Sequence, residues 1–152
     1  MGVQELGPPA SRQARVVCHN KTMRIVHVYT GDDGQSHFAD LEIPEVPHGP
    51  GSLTDIFPAT MAAFRQAPSG TIDYHRAPRR QLVVCLSGKL EVECGDGSKR
   101  VFEPGEVLLA DDMTGQGHKG RDIDGPRRSV WIALPDDFDI SAWPVADSTA
   151  AV

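Results

Sequence analysis

Long apolar runs are missing from this 152-residue chain. The most extended, Val107-Leu108-Leu109-Ala110, falls far short of the roughly 20 residues that cross a bilayer as a helix. The first ten residues show neither the basic start nor the apolar stretch of a secretory signal, so a cytoplasmic protein without a membrane partner is expected. Cysteine is scarce. Cys18, Cys85 and Cys94 are odd in number and form no Cys-x-x-Cys pair, which argues against a disulfide framework and fits reduced thiols. Positive charge is in deficit, with 15 Lys and Arg against 21 Asp and Glu and a formal net charge of −6. Nucleic acid demands a concentrated positive field, so that partner is not expected. Serine-hydrolase elbows and P-loops are absent, and neither nucleotide hydrolysis nor a nucleotide cofactor is expected.

Glycine and proline, by contrast, are plentiful and evenly scattered, 15 and 12 respectively. They cut the chain into short runs rich in Val, Ile, Leu and Phe, a pattern that predicts an all-β sandwich or barrel with little helix. The length suits one domain, predicted over 16–145, with a flexible arm over 1–15 and a flexible tail over 146–152. Strands are expected at Met23–Tyr29, Ala62–Phe64, Thr71–His75, Gln81–Leu86, Lys89–Cys94, Arg100–Phe102, Glu106–Ala110 and Ser129–Leu134. Gly31-Asp32-Asp33-Gly34 reads as a turn, Pro44 to Gly51 as an irregular crossing, and Asp136 to Trp143 as one helical turn.

A two-residue turn at Ser87-Gly88 would pair Cys85 with Leu90, Val83 with Val92 and Gln81 with Cys94. Opposed residues share a face, so Gln81, Val83, Cys85, Leu90, Val92 and Cys94 point inward. Leu82, Val84 and Leu86 then form an apolar outer face that the arm, another strand layer or a second subunit must cover. Gln81 is more telling, because an inward amide needs hydrogen-bond partners such as a polar cavity supplies.

The stretch from Tyr74 to Gly88, followed by Glu103-Pro104-Gly105-Glu106 and His118, resembles the cupin superfamily over residues 60–134. Gln81, six residues and Gly88 match the second half of the first cupin motif, with Gln standing where the family carries Glu. Pro104-Gly105, the strand Val107 to Ala110 and His118 follow the order of the second motif. The resemblance implies an antiparallel jelly-roll barrel, usually a homodimer, with a metal or small-molecule site inside. It also implies a metal set of His75, Gln81 and His118, lacking one histidine and the carboxylate of the complete site. Such a set can hold a divalent ion (Fe, Zn, Mn or Ni) without an anionic ligand to balance its charge.

The remaining site residues follow from position. His75 and His118 are the candidate proton carriers, because imidazole changes charge nearest neutrality. Tyr74 or an arginine would steady a developing oxyanion. Arg76 and Arg79 can hold a substrate carboxylate or enolate. Pairing with Gln81 would bring Cys94 toward the cavity, Asp111 opens a polar loop that runs to His118, and Trp131 can form one wall. His48 could fold over the mouth. The leading expectation is a cyclase, isomerase or dehydratase acting on a carbonyl or enolisable metabolite inside the barrel. The alternatives are a non-catalytic small-ligand binder and an Fe(II)-dependent dioxygenase.

Overall fold

A computed structural model describes residues 22–146. The arm expected over 1–15, Cys18, His19 and the tail beyond Ala146 lie outside the described residues. Nine strands follow in order: β1 (Thr22–Thr30), β2 (Ser36–His48), β3 (Gly51–Thr54), β4 (Met61–Ala67), β5 (Gly70–His75), β6 (Gln81–Glu93), β7 (Lys99–Phe102), β8 (Val107–Asp111) and β9 (His118–Ala133). A single 3-10 turn, Ile140–Ala142, is the helical element expected near Trp143. The main path runs β3-β2-β1-β8-β6-β9-β4, with β5 on β9 and β7 on β6. All pairings are antiparallel except β1 with β8. The sheet bends over itself into a jelly-roll sandwich and does not close into a barrel.

Two long strands make the bend. The Ser87-Gly88 hairpin expected from sequence does not form. Gln81–Glu93 is instead one strand, paired along its length with β9 through three register irregularities between Cys85 and Leu90. Its first half also pairs β8 and its second half β7. The bulges shift the alternation by one residue, as the turn would have done, so Gln81, Val83, Leu90 and Val92 still face inward. Gly88 sits at the bend with φ +73°, and a Cβ there would collide with the Asp124 carbonyl oxygen of β9. Cys94 is not opposite Gln81, whose partners are Ala110 and Ala133. The segment from Pro44 also departs from expectation, since β2 runs through it to His48 and pairs with β3. Prolines are accepted there because the strand lies toward the margin of the sheet.

Both faces of the β1–β8–β6 layer are apolar, which explains the unbroken run Val107-Leu108-Leu109-Ala110. Inside, Val28, Val92, Phe102 and Leu108 pack between the two halves of the sandwich. Outside, Ile25, Leu41, Ile43, Leu82, Leu109 and Leu134 pack under Trp143. Phe57 and Phe138 meet the Trp143 ring edge-on and tilted, at 5.2 and 4.7 Å between centroids. Leu82 is therefore covered by the chain's own C-terminal segment, whereas Leu86 stays 47% exposed.

Gly88→Ala is expected to destabilise the fold by at least about 2 kcal/mol, the left-handed penalty of about 1–2 kcal/mol per residue plus displacement of β9. Gly97, with φ +86° and open space around it, provides the control. Urea midpoints should show Gly97→Ala losing only the conformational part; equal losses would mean the bend tolerates a side chain.

Candidate functional site

The bend leaves a cavity of about 360 Å³ between the two halves of the sandwich, beside the inner cluster. Val83, Leu90, Val92, Leu108 and Ile72 form its apolar walls, and Ala110 and Gly120 leave room where larger side chains would fill it. Its polar wall holds His75, His118, Gln81 and three arginines, Arg65, Arg76 and Arg127.

His75 ends β5 and His118 opens β9, and the two residues are directly opposed across the strands. Their ring centroids are 4.5 Å apart. This approach depends on Gly117, because at φ +79° a Cβ would overlap the His75 carbonyl. Each ring has its Nδ1 committed elsewhere. The His75 Nδ1–H donates to the Asp73 carbonyl at 2.9 Å, and the His118 Nδ1–H donates to Asp112 Oδ2 at 2.6 Å. The Ser36 hydroxyl donates to the same Asp112 oxygen at 2.7 Å. Ser36 and Asp112 are fully buried and His118 is 7% exposed. A carboxylate can only accept, so this arrangement fixes the His118 tautomer and leaves Nε2 as its free nitrogen. His75 is left in the same state.

Strand alternation separates the two adjacent aspartates. Leu108, Ala110 and Asp112 face the interior, while Asp111 turns to the other side. There it accepts from His27 Nε2–H at 2.8 Å and from Arg80 Nε at 2.8 Å. Asp111 is thus held by protein partners away from the cavity and not positioned for substrate. Arg80 also donates to the Phe138 carbonyl at 2.8 Å, tying the C-terminal cover to β6. Burial pushes the Asp111 carboxyl up, but the bonds from His27 and Arg80 and the Arg80 charge outweigh it and hold the group below its ordinary value.

The other residues named from sequence divide. Arg76 reaches the cavity mouth and its Nε donates to the Gly115 carbonyl at 2.6 Å, fastening the loop before His118. Arg79 lies behind the wall and donates to Gln81 Oε1 at 3.3 Å. Trp131 lines the cavity with the Arg65 guanidinium 5.3 Å over its ring. Tyr74 lies outside it, under the Lys119 ammonium at 4.8 Å. Cys94 is fully buried beyond the end of β6, and burial pushes its thiol up to about 11, leaving a neutral, inert group. Cys85 is likewise buried and free. His48 is exposed at the far end of β2. Gly115-Gln116-Gly117-His118-Lys119-Gly120 has the spacing of a dinucleotide fingerprint, but it leads into β9 rather than a helix, so no helix N-terminus meets a phosphate.

Sequence reasoning missed Ser36, Arg65 and Arg127, and did not see Asp112 as the partner of His118. Alternation alone could have found two of them: Asp112 shares a face with Ala110, and Arg127 with Trp131. Nothing local marks Ser36, which arrives from 76 residues away.

The donor set fits a divalent cation poorly. His75 and His118 offer two Nε2 atoms, but the Gln81 oxygen already accepts from a guanidinium, and the wall carries three arginines with no carboxylate. Among the described residues no three His, Cys, Asp or Glu side chains converge. Positive charge without an anionic ligand repels an ion that this set would have to hold.

No family model and no curated protein matches the chain. Solved structures similar to it include a proposed ethanolamine utilization protein of Salmonella typhimurium, at 12% identity and TM-score 0.38 over 77% of this chain and 99% of that one. Another is a proposed mannose-6-phosphate isomerase of Ralstonia eutropha, at 19% identity and TM-score 0.31 over 86% and 95%. A third, of unknown function, comes from Streptococcus pyogenes, at 14% identity and TM-score 0.37 over 62% and 95%. At these distances the likenesses carry no activity to this chain.

Among the described residues no helix is long and apolar enough to cross a membrane. Because the folded Asp111 carboxyl is depressed, its contribution to stability is present above the unfolded value near 4 and is lost as pH falls through the folded one. Asp111→Asn should remove that part of the acid destabilisation below about pH 4 and leave ligand affinity at neutral pH unchanged. Urea midpoints across pH 2–7 and a binding titration check both halves.

Proposed function

We propose that the chain is a small cupin-type enzyme that moves protons with two imidazoles on a carbonyl or enolisable metabolite held in the cavity. The reaction class is isomerase, cyclase or dehydratase. The observation that carries this reading is the buried Ser36–Asp112–His118 chain ending at the cavity beside His75. The motif positions support it: Gly88 is the bend of β6, Pro104-Gly105 is the turn before β8, and His118 opens the strand that borders the cavity.

The mechanism follows from the fixed tautomers. His118 Nε2 takes a proton from the carbon next to the carbonyl, and the imidazolium that forms keeps its Nδ1–H on the buried Asp112 carboxylate. Arginine at the wall stabilises the enolate oxygen as charge develops there. The proton then passes from His118 Nε2–H to the free Nε2 of His75, 4.5 Å away between ring centroids, and His75 delivers it to the neighbouring atom, so both rings end neutral as they began; this is the exchange an isomerase or dehydratase requires. Apolar walls exclude bulk water and strengthen each of these interactions. Since the donor set does not fit a cation, no step passes through a metal. Reduced buried thiols at Cys85 and Cys94 are consistent with a cytoplasmic setting.

We also propose a homodimer through the outer face at β4. Among the described residues β4 is an edge strand with no partner on its outer side; it presents Phe64 at 86% exposure, near the exposed Leu86 of β6, and such an edge with apolar side chains suits an isologous contact. Phe64→Ser with Leu86→Ser should convert a dimer to a monomer in sedimentation; an unchanged mass would remove the proposal.

The activity is tested by ¹H NMR in D₂O, following exchange at carbon 3 of 2-oxo-4-phenylbutanoate. His118→Ala should lower the enzyme-dependent rate by about 10²-fold or more, the usual contribution of a positioned acid–base group. Asp112→Asn should lower kcat with little change in KM. Binding of the probe with no exchange above background would instead describe a non-catalytic ligand-binding module.

A further inference from the structure

The protein carries a net charge of −6, yet the cavity wall has the opposite sign. Arg65, Arg76 and Arg127 border it, and no Asp or Glu does. Asp111 is engaged by His27 and Arg80, Asp112 through Oδ2 by Ser36 and His118, and Asp122 by Arg127. Asp122 thus pairs with Arg127 from outside the lining, while among the described residues Arg65 and Arg76 meet no carboxylate.

Arg127 is the most informative of the three. It is only 5% exposed and lies on the inner face of β9, four residues before Trp131. Its Nε donates to Asp122 Oδ1 at 2.6 Å, which fixes the plane of the fork. Its Nη1 is buried and has no hydrogen-bond partner among the described residues. The Trp131 indole Nε1, on the same wall, is buried and unpartnered too. Both are donors. A buried donor left unpaired carries a desolvation cost, and a guanidinium N–H more than a neutral one. These two donors of the lining therefore call for acceptors, and an acceptor on Arg127 Nη1 would make a charge-assisted bond beside the one to Asp122.

We infer that the ligand of this cavity is a small organic acid whose carboxylate is bound by Arg127, with its reacting carbon directed to His75 and His118. Planar guanidinium matches planar carboxylate, and one arm of the fork already spent on Asp122 leaves the other oriented before the ligand arrives. The inference rests on the reading of this cavity as the ligand site. It adds the substrate class, an anionic 2-oxo or related carboxylic acid, which sorts this site away from neutral ketones and sugars.

The test compares 2-oxo-4-phenylbutanoate with 2-oxo-4-phenylbutanamide, which match in shape and differ in charge and in one acceptor oxygen replaced by an NH2 donor. The indole N–H resonances of ¹⁵N-labelled protein report binding, with the Trp131 signal assigned through Trp143→Phe. The acid should bind at least about tenfold more tightly than the amide and move the Trp131 signal on saturation. Arg127→Lys should lose about tenfold in affinity for the acid and leave the amide unaffected. Because an unpaired Asp122 can compromise folding, Arg127→Gln with Asp122→Asn removes the pair together, and near-ultraviolet circular dichroism checks its packing. His118→Ala should keep the full preference for the acid. Equal binding of acid and amide, binding of neither, or an acid preference that survives loss of Arg127 overturns the inference. Exchange on acid and amide with equal KM would overturn it while leaving the proton-transfer reading intact. Arg127-dependent binding without exchange would do the reverse.

Discussion

Pairing of β6 with β9 is the constraint from which the rest of the structure follows. Each is long enough to belong to both halves of the sandwich, and each must bend where it passes from one to the other. Bulges around Gly88 take up that bend, and the volume opened inside it becomes the cavity. The same two strands then supply half of its lining residues. Gln81, Val83, Leu90 and Val92 come from one, and His118, Gly120, Arg127 and Trp131 from the other. A bend that makes the cavity and a ladder that populates its wall are one feature, so the site cannot be loosened without loosening the fold.

Buried charge is arranged around this frame with a consistent logic. Carboxylates lie behind the wall, each engaged by a histidine or an arginine, while the guanidinium groups reach the wall itself. Asp111 and Asp112 show how finely the alternation sorts them. One anchors Arg80, and through it the C-terminal cover; the other orients His118. Burying a carboxylate is tolerable only where donors meet it: His27 and Arg80 meet Asp111, and Ser36 and His118 meet Asp112 Oδ2, although Asp112 Oδ1 has no partner among the described residues. The outer cover is therefore electrostatically as well as hydrophobically tied to the strands that carry the site.

Much of this was legible from the residues. Glycine and proline spacing gave the all-β class and most strand positions, and inward alternation identified Gln81, Val83, Leu90 and Val92 correctly even though the turn invoked to produce it is absent. The reason is that a bulge and a tight turn change parity alike, and a single sequence does not distinguish them. The reading of β2 as an irregular crossing failed because proline content was weighted above the tolerance of a sheet margin for proline. At the site, His75, His118, Gln81, Arg76 and Trp131 do border one cavity. Asp111 does not, since the loop it opens drew attention from the strand it ends. Ser36 is tertiary in origin, crossing 76 residues with no local signature, whereas the Arg127–Asp122 pair spans an irregular stretch of β9 that regular alternation does not describe.

Gly120 carries a consequence of a different kind. It sits near the start of β9, on the cavity wall, and an added Cβ would meet only the Leu90 Cδ1 atom at 3.7 Å, an ordinary contact. Unlike Gly88 and Gly117, it is not required by the course of the backbone. The interior dimension of the pocket is thus set in part at a position that the fold leaves free, so the size of ligand the cavity can admit could drift between descendants of this chain without any change to the histidines beside it.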